Sequence, residues 1–232
     1  MTMRGRLVTV LGLFIVAVAL VVWAVATLIT PGTPGAPGVK GGVVDYTHTQ
    51  AAGQPVNMTI QTVGAIGFGS HPLWVSYLTK DPTTGKWIHD NTWQLPTNTV
   101  IHMTVLQYDS GSPLRNQQFG QVTGVIGGNA FLNGKPYSVY DSYSGNGVGH
   151  TFVVPSLGIA VPLVGAAGNI CGAGPCHLNN PHNTITFSFK TPKHSGEYHW
   201  QCFVPCGGGY LFGNGGGMST QNYMGGFLDV VA

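Results

Sequence analysis

The sequence predicts an all-β sandwich preceded by one N-terminal transmembrane helix, and three observations carry that prediction. Leu7 to Ile29 runs without a single charged residue, close to the ~20 apolar residues that span a bilayer. Beyond Ile29 no helical periodicity is found. Short runs rich in β-branched and aromatic residues recur instead, separated by Gly, Pro and Asn, a pattern that favours a sandwich. Thr184 to Phe189 (TITFSF) alternates polar and apolar residues with period two, so one face of that strand is predicted to be core and the other wet.

The N-terminal segments follow in order. Residues 1–6 carry Arg4 and Arg6 ahead of the apolar run, and no basic residue follows it closely. That bias predicts a cytoplasmic N-terminus and a chain that continues outside. Ala24-Val25-Ala26 has the look of a signal-peptide cleavage site, but the run is longer than the ~7–15 residues of a signal core. Residues 7–29 are therefore predicted to be a retained, single-pass anchor in the cell membrane. Residues 30–42 (TPGTPGAPGVKGG) hold neither helix nor ladder and read as a tether. Residues 43–232 have the length of one exported domain.

Removing Arg4 and Arg6 leaves seven basic residues against seven acidic ones. A near-neutral domain argues against nucleic acid as a partner, which needs a basic stripe. Charged residues make up 7% of the chain, against about 25% in ordinary domains. Two readings stay open: an acidic exterior, where carboxylates are neutral and add little solubility, or a domain lying against a membrane or a partner subunit.

Within the domain, strands are predicted at Val56 to Ile66, Pro72 to Leu78, Val100 to Tyr108, Thr151 to Val154, Gly158 to Leu163, Thr184 to Lys190, Tyr198 to Cys202 and Phe227 to Val231. Lys80 to Asn91 reads as a hairpin or loop. Ser110 to Gly149 is a long, Gly-rich polar insertion, and insertions of that length are commonly functional or contact surfaces. Its Tyr137, Tyr140 and Tyr143 are expected to cover a sheet edge or face a partner. No Ser-His-Asp array, paired acid/base motif or phosphate-binding Gly loop appears, so the chain is not expected to be catalytic on its own. It could be a non-catalytic subunit of a larger oxidase.

The chemistry-bearing residues lie in the last third: Gly149-His150-Thr151-Phe152-Val153-Val154-Pro155, then Tyr198-His199-Trp200-Gln201-Cys202-Phe203-Val204-Pro205-Cys206-Gly207, then Met218. This order resembles the cupredoxins, and the Cys-x-x-x-Cys spacing resembles the copper-binding domain of cytochrome c oxidase subunit II. The resemblance implies a cupredoxin-like Greek-key sandwich. It implies copper held by His150, Cys202 and Cys206, with Met218 as a weak ligand, since copper electron-transfer sites combine thiolate, imidazole and a distant thioether. One departure stands out. The family's second His is replaced by Tyr210 and its Met by Gly213, with Met218 five residues further along.

Strand alternation suggests where a second imidazole could come from. The His150 strand leaves the metal end, the next returns, the next leaves and the Tyr198 strand comes back. Val164 to Asn183 then lies at the metal end, which makes His177 and His182 candidate substitutes, with His199 a third. Exported cysteines tend to pair. Cys171 with Cys176 is the simplest disulfide, and Cys202 with Cys206 could form another, although four cysteines allow three pairings.

Three functional readings follow. The first is a membrane-anchored, subunit II-like copper protein taking part in respiratory electron transfer, between a soluble electron donor and an integral-membrane oxidase subunit. The second is an accessory oxidase subunit that has lost copper and keeps Cys202–Cys206 as a disulfide. The third is a copper carrier.

Overall fold

The computed structural model describes residues 12–23, 42–51, 53–168, 171–206 and 216–232. Within them the strands run, in chain order, β1 (Val43–Asp45), β2 (Val56–Val63), β3 (Ser76–Lys80), β4 (Trp87–Ile88), β5 (Thr92–Pro96), β6 (Val100–Gln107) and β7 (Ala130–Leu132). They continue with β8 (Lys135–Tyr137), β9 (Val148–Val154), β10 (Ile159–Val164), β11 (Asn183–Lys190), β12 (Gly196–Gln201) and β13 (Gly225–Val231). One sheet has the order β1-β5-β13-β12-β9-β10 and the other β4-β3-β2-β6-β11-β7-β8. The chain crosses between sheets at β1 to β2, β4 to β5, β5 to β6, β8 to β9, β10 to β11 and β11 to β12, so this is a mostly-β sandwich rather than a simple meander.

The period-two prediction for β11 holds. Ile185, Phe187 and Phe189 are buried while Thr184, Thr186 and Ser188 are not. Phe152 of β9 lies at the middle of the sandwich, with ring centroids of Trp93, Trp200, Phe187 and Phe189 at 6.2, 5.3, 5.5 and 6.0 Å. Each large apolar side chain buried this way contributes roughly 1.5–3 kcal/mol. The Lys80 to Asn91 expectation also holds, because β3 and β4 pair antiparallel across it.

The Ser110 to Gly149 insertion is largely cover. Its β7–β8 hairpin extends the second sheet from β11. Its Thr123 exchanges backbone hydrogen bonds with Ala160 at 2.8 and 3.1 Å, which blunts the exposed edge of β10. With that cover β9 is buried along its whole length. Tyr137 and Tyr140 pack against the core, and the Tyr137 hydroxyl donates to the Pro162 carbonyl at 2.6 Å. Tyr143 departs from the covering role, being 71% exposed.

Residues 12–23 are helical. The remainder of the expected 7–29 span, and most of the 30–42 tether, lie outside the described residues. Among the described residues no helix is long and apolar enough to cross a membrane.

Candidate metal centre

Side-chain alternation aims the key residues at one point. On β9, His150 shares the inward parity of Phe152 and Val154. On β12, Tyr198 and Trp200 face inward, and Cys202 continues that parity just past the strand end. His150 and Cys202 therefore arrive from neighbouring strands, linked by the Gln201–Val153 pair, at the same end of the sandwich. The loop after Cys202 turns Cys206 back toward them.

The resulting geometry is tight. His150 Nδ1 lies 2.9 Å from Cys206 Sγ and 3.9 Å from Cys202 Sγ, and the two sulfurs are 3.3 Å apart. All three side chains are buried. Their donor atoms lie within 4.8 Å of one another, and no other His, Cys, Asp or Glu joins them in such a group among the described residues. Thr151 organises the site from β9: its amide and hydroxyl both point at Cys202 Sγ, at 3.4 and 3.9 Å. The same hydroxyl accepts the Phe203 amide at 2.8 Å and fixes the start of the loop. The Val204 carbonyl sits beside both sulfurs, 2.9 Å from Cys206 and 3.6 Å from Cys202.

The far nitrogen of His150 is also held. Nε2 lies 3.0 Å from Oδ2 of Asp109, in the turn after β6. Burial disfavours a charged imidazole here. The Asp109 carboxylate and the Cys202 sulfur outweigh it and raise the His150 pKa from 6.5 to about 9. The thiols split. Burial opposes ionisation of Cys202, yet the hydrogen bond from Cys206 and the facing imidazole pull its pKa well below the usual thiol value. Cys206, sharing its proton with that thiolate and itself buried, is pushed well above it. These shifts favour a thiolate on Cys202 facing a protonated ring on His150.

The other expected ligands fall elsewhere. Val164 to Asn183 does lie at this end, as the alternation predicted: Leu163 pairs with His150 and Asn183 with Gln107. Its histidines nevertheless do not converge on the thiols. His177 is exposed, its backbone engaged by Asn180 and by the Tyr108 hydroxyl. His182 lies against the Tyr108 ring at 4.8 Å with Nδ1 on the Asn180 carbonyl. His199 has the opposite parity to Trp200 and Cys202 and packs on Phe227 at 5.2 Å on the outer face. Met218 is half-buried and lines a shallow outer cavity with His199 and Gln201, its carbonyl accepting from Gln201 at 3.1 Å. Tyr210 and Gly213 lie outside the described residues. Cys171 and Cys176 are joined as a disulfide, whereas Cys202 and Cys206 are free thiols.

Asp109 and Thr151 were missed from sequence. Asp109 had an available signal: β6 runs antiparallel to β11, so the same alternation that placed the 164–183 loop also brings the end of β6, with its acidic residue, to the metal end.

Two buried thiol sulfurs and one imidazole suit a soft, thiophilic ion such as copper or zinc. A thiol pair of this kind can also close to a disulfide. An imidazole from one strand and a thiol pair in the loop after its neighbour, at one end of a two-sheet sandwich, form a cupredoxin-like arrangement. No protein-family model matches this chain, and no curated protein sequence matches it. Among solved structures it is similar to reduced rusticyanin, with 17% identity, a TM-score of 0.35 and coverage of 89% of this chain and 93% of that one. It is likewise similar to rusticyanin from Thiobacillus ferrooxidans, with 16% identity, a TM-score of 0.34 and coverage of 85% and 87%. A copper-containing nitrite reductase from Thermus scotoductus aligns at 12% identity and a TM-score of 0.27, over 78% of this chain and 32% of that protein. At these low scores the fold assignment rests on the sheets described above.

Proposed function

We propose that this chain is a copper protein that carries single electrons, tethered to the outer face of the cell membrane by residues 7–29 and similar in role to subunit II of a haem–copper oxidase. It would accept electrons from a soluble donor and pass them to an integral-membrane oxidase subunit, with no bond chemistry of its own. The observation that supports this reading is the convergence of His150, Cys202 and Cys206 in a buried pocket. Burial excludes water and fixes the donors, which suits an ion that changes charge without changing partners. The described donor set, two thiols and one imidazole, fits a single ion.

The test is anaerobic copper titration of the reduced full-length chain. Uptake of one equivalent with a strong visible charge-transfer band, lost in Cys202→Ser, is the expected result. A second reading has its own support: sulfurs 3.3 Å apart need little movement to bond. A colourless chain that takes up no copper and oxidises to a Cys202–Cys206 disulfide would establish that alternative, an accessory subunit acting through its surface.

A further inference from the structure

We propose that Asp109 is a positioning residue for the copper centre, which turns Nδ1 of His150 toward the thiols and sets a fixed negative charge beside them; this rests on the copper reading above. The carboxylate is itself immobilised. Its Oδ1 accepts the Ser110 amide at 2.8 Å while Oδ2 faces His150 Nε2 at 3.0 Å. The Asp109 carbonyl accepts the Ala166 amide at 2.8 Å and Gln107 Nε2 at 3.2 Å. The turn is thus pinned to β6 on one side and to the start of the 164–183 loop on the other.

Glycine makes this approach available, at Gly149 on β9 and at Gly165 after β10. A side chain at Gly149 would place its Cβ 2.7 Å from the Ser110 carbonyl and into the Gln107 amide. Only a residue without Cβ lets the 107–110 turn close onto β9, next to the ring it holds. An imidazole has two nitrogens, and the one that binds metal is decided by the partner of the other. A carboxylate on Nε2 keeps the proton there, leaves the Nδ1 lone pair for the metal, and makes that nitrogen a better donor. Its charge also favours the more oxidised, more positive state of a bound copper.

Four reduced full-length proteins test this: the unsubstituted chain, Asp109→Asn, Asp109→Ala and Asp45→Asn. The last removes an exposed carboxylate on β1 as a control for net charge. Copper(I) affinity is measured by competition with a chromophoric chelator, and the reduction potential of the loaded protein by spectroelectrochemistry. Asp109→Ala is expected to weaken copper about 10- to 100-fold, the usual cost of losing such a partner. Asp109→Asn, whose carbonyl still accepts from Nε2, should lose less. Both should raise the potential, and Asp45→Asn should change neither quantity. A merely structural Asp109 would lower the melting temperature without moving the potential in the near-isosteric Asn variant. Unchanged affinity and potential in both Asp109 variants would overturn the proposal while leaving the copper reading intact. Failure of the unsubstituted chain to take up copper would overturn both.

Discussion

Two cysteine pairs sit at the same end of this molecule, at nearly the same spacing, in opposite states. Cys171 and Cys176, five residues apart, are bonded. They belong to a partly exposed loop that docks on the sandwich through the Cys176 amide, held by Gln61 Oε1 at 2.7 Å, and through Tyr108. Cys202 and Cys206, four apart, are unbonded, buried, and surrounded by groups that stabilise a thiolate: the Thr151 amide and hydroxyl, and the imidazole held by Asp109. Spacing alone therefore does not decide a pair's fate. The pair facing an imidazole and directed N–H and O–H groups stays as two thiols, and the pair lacking them is bonded.

The strongest break in this comparison is Cys202→Ser. Structural zinc sites built from thiolates and imidazoles supply about 10–16 kcal/mol of binding free energy, several kcal/mol per ligand. Deleting one of three donors is expected to weaken copper by at least about 1,000-fold, read by chelator competition, while the Cys171–Cys176 bond stays intact in non-reducing mass analysis.

Acid should also act on the sandwich through a histidine that belongs to neither pair. Burial lowers the His89 pKa from 6.5 to about 4, against the opposing hydrogen bond to the Asn222 backbone, and its Nε2 has no hydrogen-bond partner among the described residues. A folded-state pKa below the unfolded value means that the unfolded chain takes up the proton first. Stability is then lost as pH falls from about 6.5 to about 4, by at most about 3 kcal/mol. Denaturant unfolding across this range should show the slope in the metal-free protein, and His89→Phe should flatten it.

Removing the staple is a smaller change. The chain-entropy cost of opening so short a loop is about 2 kcal/mol. The double variant Cys171→Ser/Cys176→Ser should lose that much stability to denaturant while keeping copper affinity within about 10-fold. A larger loss of affinity would show that the 164–183 loop supports Asp109 through Ala166 more than the staple role allows. The smallest effect is expected at Tyr143. Exposed as it is, Tyr143→Ala should stay within about 0.5 kcal/mol in the same assay.

Much of this arrangement was legible in the sequence. Alternation in Thr184 to Phe189 gave its inward face, and the strands that were predicted fall within a few residues of those observed because Gly and Pro punctuate them, whereas β1, β5, β7 and β8 were not predicted. His150 with Cys202 and Cys206 was readable through the resemblance that their order and spacing carry, and all three belong to two adjacent strands and one short loop. What was not legible depends on contacts far apart in sequence. Asp109 reaches His150 across 41 residues, whereas the outward direction of His199 was readable from its odd spacing to Cys202. His177 and His182 were placed at the correct end, yet position along a sheet does not set side-chain direction. Tyr108 and Asn180 hold that loop so that neither ring joins the thiols.

The most direct test of the account is X-ray absorption at the copper edge of the copper-loaded full-length chain. The account predicts two sulfur scatterers and one imidazole around each copper, with a sulfur disappearing in Cys206→Ser and the imidazole pattern disappearing in His150→Ala. A first shell of nitrogen and oxygen alone, with Cys202 and Cys206 recovered as a disulfide, would contradict it.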